Sequence, residues 1–400
     1  MKTINKLKNL SGKIVLLRVD YNVPFEKGKI LDDEKIGKSL LTIQNLQAKG
    51  AKIIIVTHLG RPEGKIVPSL KVDPLALHLE KLLGQKIVKL DSKNWSKDEK
   101  KADQIRSDLL TSIDTMLPGQ VAMLENIRFS PEEENNAGTL AQELANLADI
   151  FVLDGFAVSH RADASVVGVA KYLPSYAGLL MEEEIKSLTK VLKRPKKPFV
   201  AIIGGIKSET KIPVIKNLLK KSSQILIGGG IVNTYLFAMG FQIGSSIVDK
   251  EMAQEILKYC KNKKVIKPLD VIVGDKKGKK YFVVDIDKNF KITDKSLAIY
   301  DIGPKTIQEF SKYIKKAKTI VWNGAMGYFE QKPYQHGTYS VARLVASRSK
   351  GKAFGVVGGG ETLLSLEAVK MSEYIDHIST GGGAMLEFLA GKKLPGVKIL

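Results

Sequence analysis

Short apolar runs alternate with longer amphipathic ones along this chain. Ile14–Val19, Lys52–Val56, Val121–Leu124 and Ile150–Leu153 are almost continuously apolar, the pattern of strands covered on both faces. Between them, Lys38–Gln47, Pro74–Leu83 and Leu140–Ala148 carry apolar residues at helical spacing. Pro74 after Asp73 predicts a capped helix start with proline at the first helical position. The alternation resumes at Phe199–Ile203, Ile225–Ile227, Lys264–Pro268, Ala298–Asp301, Thr319–Trp322 and Ala353–Val357. It predicts α/β architecture, with mainly parallel sheets covered by helices. Between the halves, Ile185, Leu188, Val191 and Leu192 give Met181–Leu192 a helical face, and the prolines of Arg194–Pro198 end it. Tyr172–Lys193 is therefore the expected crossing between two lobes. Asp270–Asp294 breaks the rhythm: Val271–Gly274 and Tyr281–Asp285, around the Lys276–Lys280 loop, predict a hairpin at the edge of the main sheet.

The two halves differ where their strands end. In the second half, Phe199–Ile203 runs into Gly204 and Gly205, and Gln224–Ile227 into Gly228–Gly230. Ala353–Val357 runs into Gly358–Gly360, and His377–Ser379 into Thr380 and Gly381–Gly383. Bare backbone at the carboxyl end of a parallel strand lets a ligand approach N–H groups and a helix N-terminus. One glycine run can equally be a tight turn; their recurrence predicts a phosphate-rich ligand. Glu361 and Thr362 add hard oxygen donors suited to Mg²⁺ beside phosphates. The first half ends its strands in Arg18, Asp20, Asn22, His58, Arg61, Arg128, His160 and Arg161. A lone arginine is commonly a surface ion pair, but several at neighbouring exits suit capture of a small, highly anionic metabolite.

Composition narrows the classes. With 400 residues, two domains are expected. One cysteine, Cys260, excludes an intramolecular disulfide framework and fits a reducing compartment. The net charge of +21 raises the question of nucleic acid, but the lysine clusters lack interleaved aromatic residues for base stacking. Met1–Leu10 lacks an apolar signal-peptide segment and no run has the length of a membrane span, so a cytoplasmic protein is expected. The P-loop, the full dinucleotide fingerprint and the protein-kinase motifs are missing, and no Ser/His/Asp nucleophile is evident.

Arg18–Pro24, His58–Pro62, Leu124–Phe129 and His160–Ala162, then Gly204–Lys207, Asp301–Lys305, Val321–Gly324, Gly358–Gly360 and Ser379–Ala384, make the whole chain resemble phosphoglycerate kinases. The resemblance implies two Rossmann-like lobes facing across a hinged cleft. The first would be residues 1–172, with a tail at about 390–400 packing back on it; 173–195 would be the interdomain helix and hinge, and 196–389 the nucleotide lobe. It implies reversible phosphoryl transfer between 1,3-bisphosphoglycerate with ADP and 3-phosphoglycerate with ATP, by a cytoplasmic monomer using Mg²⁺. Asp20, Tyr21, Asn22, Lys35, His58, Leu59, Gly60, Arg61, Arg128, His160 and Arg161 would bind the glycerate substrate. Lys35, Lys207, Lys211 and Gly381, Gly382 and Gly383 would surround the transferring group. Gly205, Lys211, Asn323, Glu330, Gly358, Gly359, Gly360, Glu361 and Thr362 would bind the nucleotide, with Glu361 toward the metal.

The chain departs from the family pattern at several of these places. Lys35 stands for an arginine, Asp163 for a histidine, Leu153 for an asparagine, Glu361 for an aspartate and Ala325 for a proline. Lys35 keeps the charge of arginine without its planar fork. These departures leave open a non-catalytic or weakly active binding protein of the same fold as the alternative to an active kinase.

Overall fold

The structure, a computed structural model, describes residues 1–26, 28–90 and 99–400. The chain divides into two compact units, one of Met1–Ile185 with Lys393–Leu400, the other of Lys186–Lys392.

The first unit contains β1 (Ile14–Arg18), β2 (Phe25–Glu26), β3 (Lys29–Ile30), β4 (Lys52–Val56), β5 (Ile87–Leu90), β6 (Val121–Leu124), β7 (Ile150–Leu153) and β8 (Ser175–Ala177). Six of them form a parallel sheet in the order β5-β6-β4-β1-β7-β8, and β2 and β3 form a separate antiparallel pair. Its helices are α1 (Glu34–Ala48), α2 (Asp73–Leu83), α3 (Glu99–Asp114), α4 (Leu140–Ala145) and the start of α5 (Leu179–Lys193). Ile36, Ile43 and Leu46 of α1 and Leu75 and Leu79 of α2 share one core with Val15, Leu17, Ile53 and Ile55 of the sheet. This burial of apolar stripes against a two-faced sheet is the main drive for the architecture. Arg18 pairs in register with Val56 and with Leu153, so the central strands end level and their exit loops share one edge.

Four strands escape the hydrophobic pattern. β2 and β3 are only two residues long, β5 is a short edge strand with Lys89 inside it, and β8 is Ser175-Tyr176-Ala177, with no apolar run at all. The expected aspartate cap is also corrected. Val72 occupies the N-cap position, and the Asp73 carboxylate pairs with Lys89 instead.

The second unit contains β9 (Phe199–Ile203), β10 (Gln224–Ile227), β11 (Val265–Ile266), β12 (Asp270–Gly274), β13 (Tyr281–Asp285), β14 (Ala298–Ile302), β15 (Thr319–Asn323), β16 (Phe354–Gly358) and β17 (His377–Ser379). Its helices after α5 are α6 (Ser208–Leu218), α7 (Gly230–Ala238), α8 (Ala253–Cys260), α9 (Pro304–Lys316), α10 (His336–Arg348), α11 (Gly360–Ala368) and α12 (Gly383–Leu389). The main sheet is again six parallel strands, in the order β11-β10-β9-β15-β16-β17. Val200, Ile202 and Trp322 of this sheet pack with Phe310, Ile314, Val341 and Val345 of α9 and α10.

The hairpin of β12 and β13 forms off the main sheet, but β14 joins it, giving an antiparallel sheet ordered β13-β12-β14. Ala298–Asp301, read as part of the main alternation, thus belongs to the smaller sheet. Its buried, apolar character marks it as a strand, but partner choice is a tertiary property. Asp270, at the start of β12, caps α9 from a distance: it accepts from the N–H groups of Lys305 (3.0 Å) and Thr306 (2.8 Å) and from the Thr306 hydroxyl (2.7 Å). The last helix, α13 (Pro395–Lys398), is in the first unit, where Gly396 N–H donates to Ser159 O at 2.8 Å and Lys2 N–H to Leu400 O at 2.6 Å.

Candidate functional site

In the first unit the charged exits form one hydrogen-bonded cluster. Arg18, at the end of β1, is completely buried; its Nε donates to Ser165 Oγ (2.7 Å) and its guanidinium also donates to the Val19 carbonyl. Its Nη2 lies 3.3 Å from His58 Nδ1 and 3.9 Å from Glu133 Oε1. Glu133, equally buried, accepts from the Ser165 hydroxyl (2.5 Å) and the Ser165 N–H (2.9 Å). A buried ion pair requires such additional bonds to offset the desolvation of both charges. Burial, reinforced by Arg18, pushes the His58 imidazole well below its ordinary value, so it is neutral at neutral pH. Burial works to raise the Asp20 carboxyl, but Lys35, through its charge and its hydrogen bond, and Arg18 outweigh it and hold the group below the usual range.

Lys35 sits in the first turn of α1, where the helix dipole disfavours a cation. It is held there by Asp20 Oδ2 at 2.7 Å and the Asn22 carbonyl at 3.1 Å. Asn22 Oδ1 accepts from Gly60 N–H (2.9 Å), and the Gly60 carbonyl accepts from Arg128 Nη1 (2.9 Å). Gly60 has φ +66°, and a Cβ there would come within 2.7 Å of the Leu70 side chain, so the turn requires glycine. Beyond it, Arg128 and Arg161 both reach Glu134 Oε1, at 3.4 and 3.5 Å. Asp163 is buried beside them; burial raises its carboxyl, against the pull of Arg18, Arg161 and Arg128.

Asp20, Asn22, Lys35, His58, Gly60, Arg128 and Arg161 are thus brought together. Arg61 is exposed and His160 half-buried on the adjoining loops. The Tyr21 ring is wholly inside, its hydroxyl 2.6 Å from Ser39 Oγ, and Leu59 is also in the core. These two have only backbone to offer a ligand. Sequence reasoning passed over Asn126, whose Nδ2 donates to the carbonyls of Leu59 and Leu70 (both 2.8 Å) and whose Oδ1 accepts from Arg128 N–H (3.2 Å). Asn126 fixes the Arg128 loop to the Gly60 loop; its place two residues before Arg128 is the one sequence signal for that. Glu133 and Ser165 were passed over too, because a buried network is invisible in one dimension.

In the second unit the glycine exits lie on one edge of the main sheet, since Asn323 pairs in register with both Ile203 and Gly358. Gly204 N–H donates to Asn323 O (2.9 Å), Gly205 N–H to Ala325 O (2.8 Å) and Gly229 N–H to Met326 O (2.8 Å). The loops pack backbone on backbone: a Cβ on Gly324 (φ +92°) would meet Gly204 O at 2.3 Å. Helices α7, α11 and α12 start at the exits, with Gly230, Gly360 and Gly383 as first residues, so three helix N-termini follow glycine turns at the carboxyl ends of the strands.

Lys211 of α6 is buried and donates to Asn323 Oδ1, while Asn323 Nδ2 donates to Gly358 O (2.7 Å). Burial lowers the Lys211 ammonium to about 8, with Glu361 opposing the shift. Thr362 is buried and its hydroxyl accepts from Gly324 N–H (2.8 Å), so it braces the loop. Gly381 N–H donates to Ser379 Oγ (3.1 Å), and Gly382 has φ +50°. Lys207 and Glu361 are exposed at the starts of α6 and α11.

A cavity of about 600 Å³ adjoins these loops, the size of a small-molecule site. Gly205, Gly229, Gly230 and Glu361 line one part of it, and Tyr300, Tyr328, Phe329, Glu330, Ile247 and Val232 another. Tyr300 stacks on Tyr334 with ring centroids 4.6 Å apart, which stiffens that wall. Lys211 joins the cavity through Gly205, whose Cβ position lies 3.8 Å from Lys211 Cε and 3.7 Å from Glu361 Oε2. No group of three or more His, Cys, Asp or Glu side chains among the described residues could cage a metal. A single exposed carboxylate beside glycine backbone suits a Mg²⁺ ion only if a bound molecule's own oxygens would supply most of its ligands.

A sequence profile of the phosphoglycerate kinase family matches residues 4–392. The chain is 44% identical to the phosphoglycerate kinase of Borreliella burgdorferi, covering 100% of this chain and 99% of that protein. It is 43% identical to that of Moorella thermoacetica, covering 98% and 97% of the two. Among solved structures, the phosphoglycerate kinase of Coxiella burnetii superimposes with a TM-score of 0.85 at 38% identity, over 99% of this chain and 98% of that one. That of Pyrococcus horikoshii does so with a TM-score of 0.84 at 32% identity, over 100% and 98%.

Proposed function

The chain belongs to the phosphoglycerate kinase family, and from that premise we propose that it transfers a phosphoryl group reversibly between 1,3-bisphosphoglycerate and ADP, yielding 3-phosphoglycerate and ATP. The observation that carries the reading is the pairing of chemistries in one chain. One sheet edge presents Arg128, Arg161, Lys35 and Asp20, and the other presents glycine backbone around a cavity with Lys211 beside it.

In this reading the first unit binds the glycerate. Arg128 and Arg161 take the anionic groups of the substrate, and Asn22 and Asp20 orient it. Lys35 neutralises charge on the group in flight. The second unit holds the nucleotide, with its phosphates against Gly205, Gly229 and Gly358–Gly360, its ribose near Glu330 and its base against the Tyr300 and Tyr328 wall. Lys207, Lys211 and the N–H groups of Gly381–Gly383 stabilise the equatorial oxygens of the transferring phosphoryl. Mg²⁺, held by the nucleotide phosphates and Glu361, would supply further charge neutralisation.

Such transfer asks for alignment and electrostatic stabilisation, with no covalent protein nucleophile. An acyl phosphate is readily hydrolysed, so the productive state must exclude water. The reading includes a cytoplasmic monomer. Among the described residues no helix is long and apolar enough to cross a membrane. Retention of both half-sites favours transfer over a non-catalytic binding protein. A coupled assay with MgATP and 3-phosphoglycerate tests this directly: turnover supports transfer, and binding of both without turnover favours the binding protein.

A further inference from the structure

Two arginines assigned above to the acceptor substrate are already bridged by a carboxylate of the protein. Glu134 Oε1 lies 3.4 Å from Arg128 Nη2 and 3.5 Å from Arg161 Nη1. Arg128 is 3% exposed; its Nη2 meets Glu134 only as a long ion pair and its Nε makes no hydrogen bond, so neither buried donor is fully satisfied. The Glu134 side chain, by contrast, is 46% exposed, so its carboxylate borders solvent that would hydrate it outside the pair. Burial and the neighbouring Arg161 both weaken the charged form of Arg128, and Glu134 opposes them. One carboxylate oxygen shared by two guanidinium groups copies the way such a pair takes an oxygen of a phosphate or carboxylate ligand.

We propose that Glu134 is an internal stand-in for the acceptor substrate: its carboxylate occupies the anion position between Arg128 and Arg161, and substrate must displace it to bind. The proposal rests on the assignment of those arginines to the glycerate. It makes Glu134 a positioning residue that lowers affinity for every competing anion, so only a ligand with several anionic contacts binds well. An opposing role is equally concrete. A carboxylate that stayed in place with substrate bound would hold the arginines in shape, and its removal would weaken binding. The two roles differ in sign.

The test is calorimetric titration of 3-phosphoglycerate, and separately of inorganic sulfate, into the full chain without nucleotide, for wild type, Glu134→Gln, Glu134→Asp and Arg161→Ala. Displacing one partly exposed ion pair corresponds to roughly three- to tenfold in a dissociation constant. Glu134→Gln is expected to tighten both ligands by about that factor, and the steady-state KM for 3-phosphoglycerate should fall in step. Glu134→Asp, which keeps the charge, should remain close to wild type. An unchanged or weakened affinity in Glu134→Gln overturns the proposal. Arg161→Ala keeps the two failures apart: it must weaken 3-phosphoglycerate, and if it does not, the acceptor-site assignment itself falls and the stand-in role with it.

Discussion

Lys35 and Lys211 each carry a cation that the local environment resists. Lys35 opposes the dipole of α1 and is kept in place by Asp20 and the Asn22 carbonyl. Loss of one preorganised donor to a transition-state charge costs about 10²–10³ in rate. Lys35→Ala should therefore lower kcat by about that factor, whereas Lys35→Arg, restoring the planar fork, should raise kcat above wild type. Steady-state kinetics at saturating substrates checks both, and a Lys35→Ala enzyme with wild-type kcat would remove the residue from the mechanism.

Lys211 makes a pH prediction. Burial depresses its ammonium to about 8 in the folded protein, so the charge is lost as pH rises through that value. Activity that depends on this charge falls on the alkaline side, and Lys211→Arg should flatten that limb of the kcat/KM profile because guanidinium stays protonated. The sign for folding is opposite: with the folded value lowered, the unfolded chain binds more protons between about 8 and the ordinary lysine value, and stability rises with pH there. At this scale the charged exits were legible because arginine and histidine at strand ends are conspicuous. Asn126, Ser165 and Glu133 were not, since their work is to hydrogen-bond other side-chain and backbone groups across the fold.

Among the elements, two aspartates control helix starts from neighbouring strands. Asp154, just past β7, accepts from Met181 N–H at 3.1 Å in the first turn of α5, and burial raises its carboxyl to about 7. A raised folded value means that its contribution to stability is present below the ordinary aspartate value and is lost as pH rises through about 7. Asp154→Asn keeps an acceptor and removes the charge, so its melting temperature relative to wild type should climb between about pH 4 and about pH 7 and level off above that; parallel melting curves would contradict this. Asp270 is the second case. Asp270→Ala removes the acceptor of the first N–H groups of α9, that of Thr306 being buried, and should cost about 2–4 kcal/mol in urea unfolding.

Most elements were legible from periodicity, because each buries a stripe or both faces. β2, β3, β5, β8 and the sheet membership of β14 were not. The first four are short strands with little apolar signal, and the last depends on a pairing that local sequence does not encode.

For the molecule as a whole, the division into two units with different strand exits is the feature that links fold to reaction. Each parallel sheet ends level along one edge, so residues far apart in sequence share a site. Ligand protection should divide the same way. Hydrogen exchange is expected to slow in the loops after β1, β4 and β6 with 3-phosphoglycerate alone, and in the loops after β9, β10 and β16 with MgADP alone. The glycine exits on one edge were legible in the sequence, but the Tyr300 and Tyr328 wall was not, because it forms only when the small antiparallel sheet packs beside the main one. The most direct test of the account is single-turnover transfer from MgATP to 3-phosphoglycerate by wild type, Arg128→Ala and Lys211→Ala. Wild type is expected to transfer the phosphoryl group and both variants to lose transfer, with Arg128→Ala still binding nucleotide and Lys211→Ala still binding 3-phosphoglycerate. Wild-type binding of both substrates without transfer, or full transfer by either variant, would contradict it.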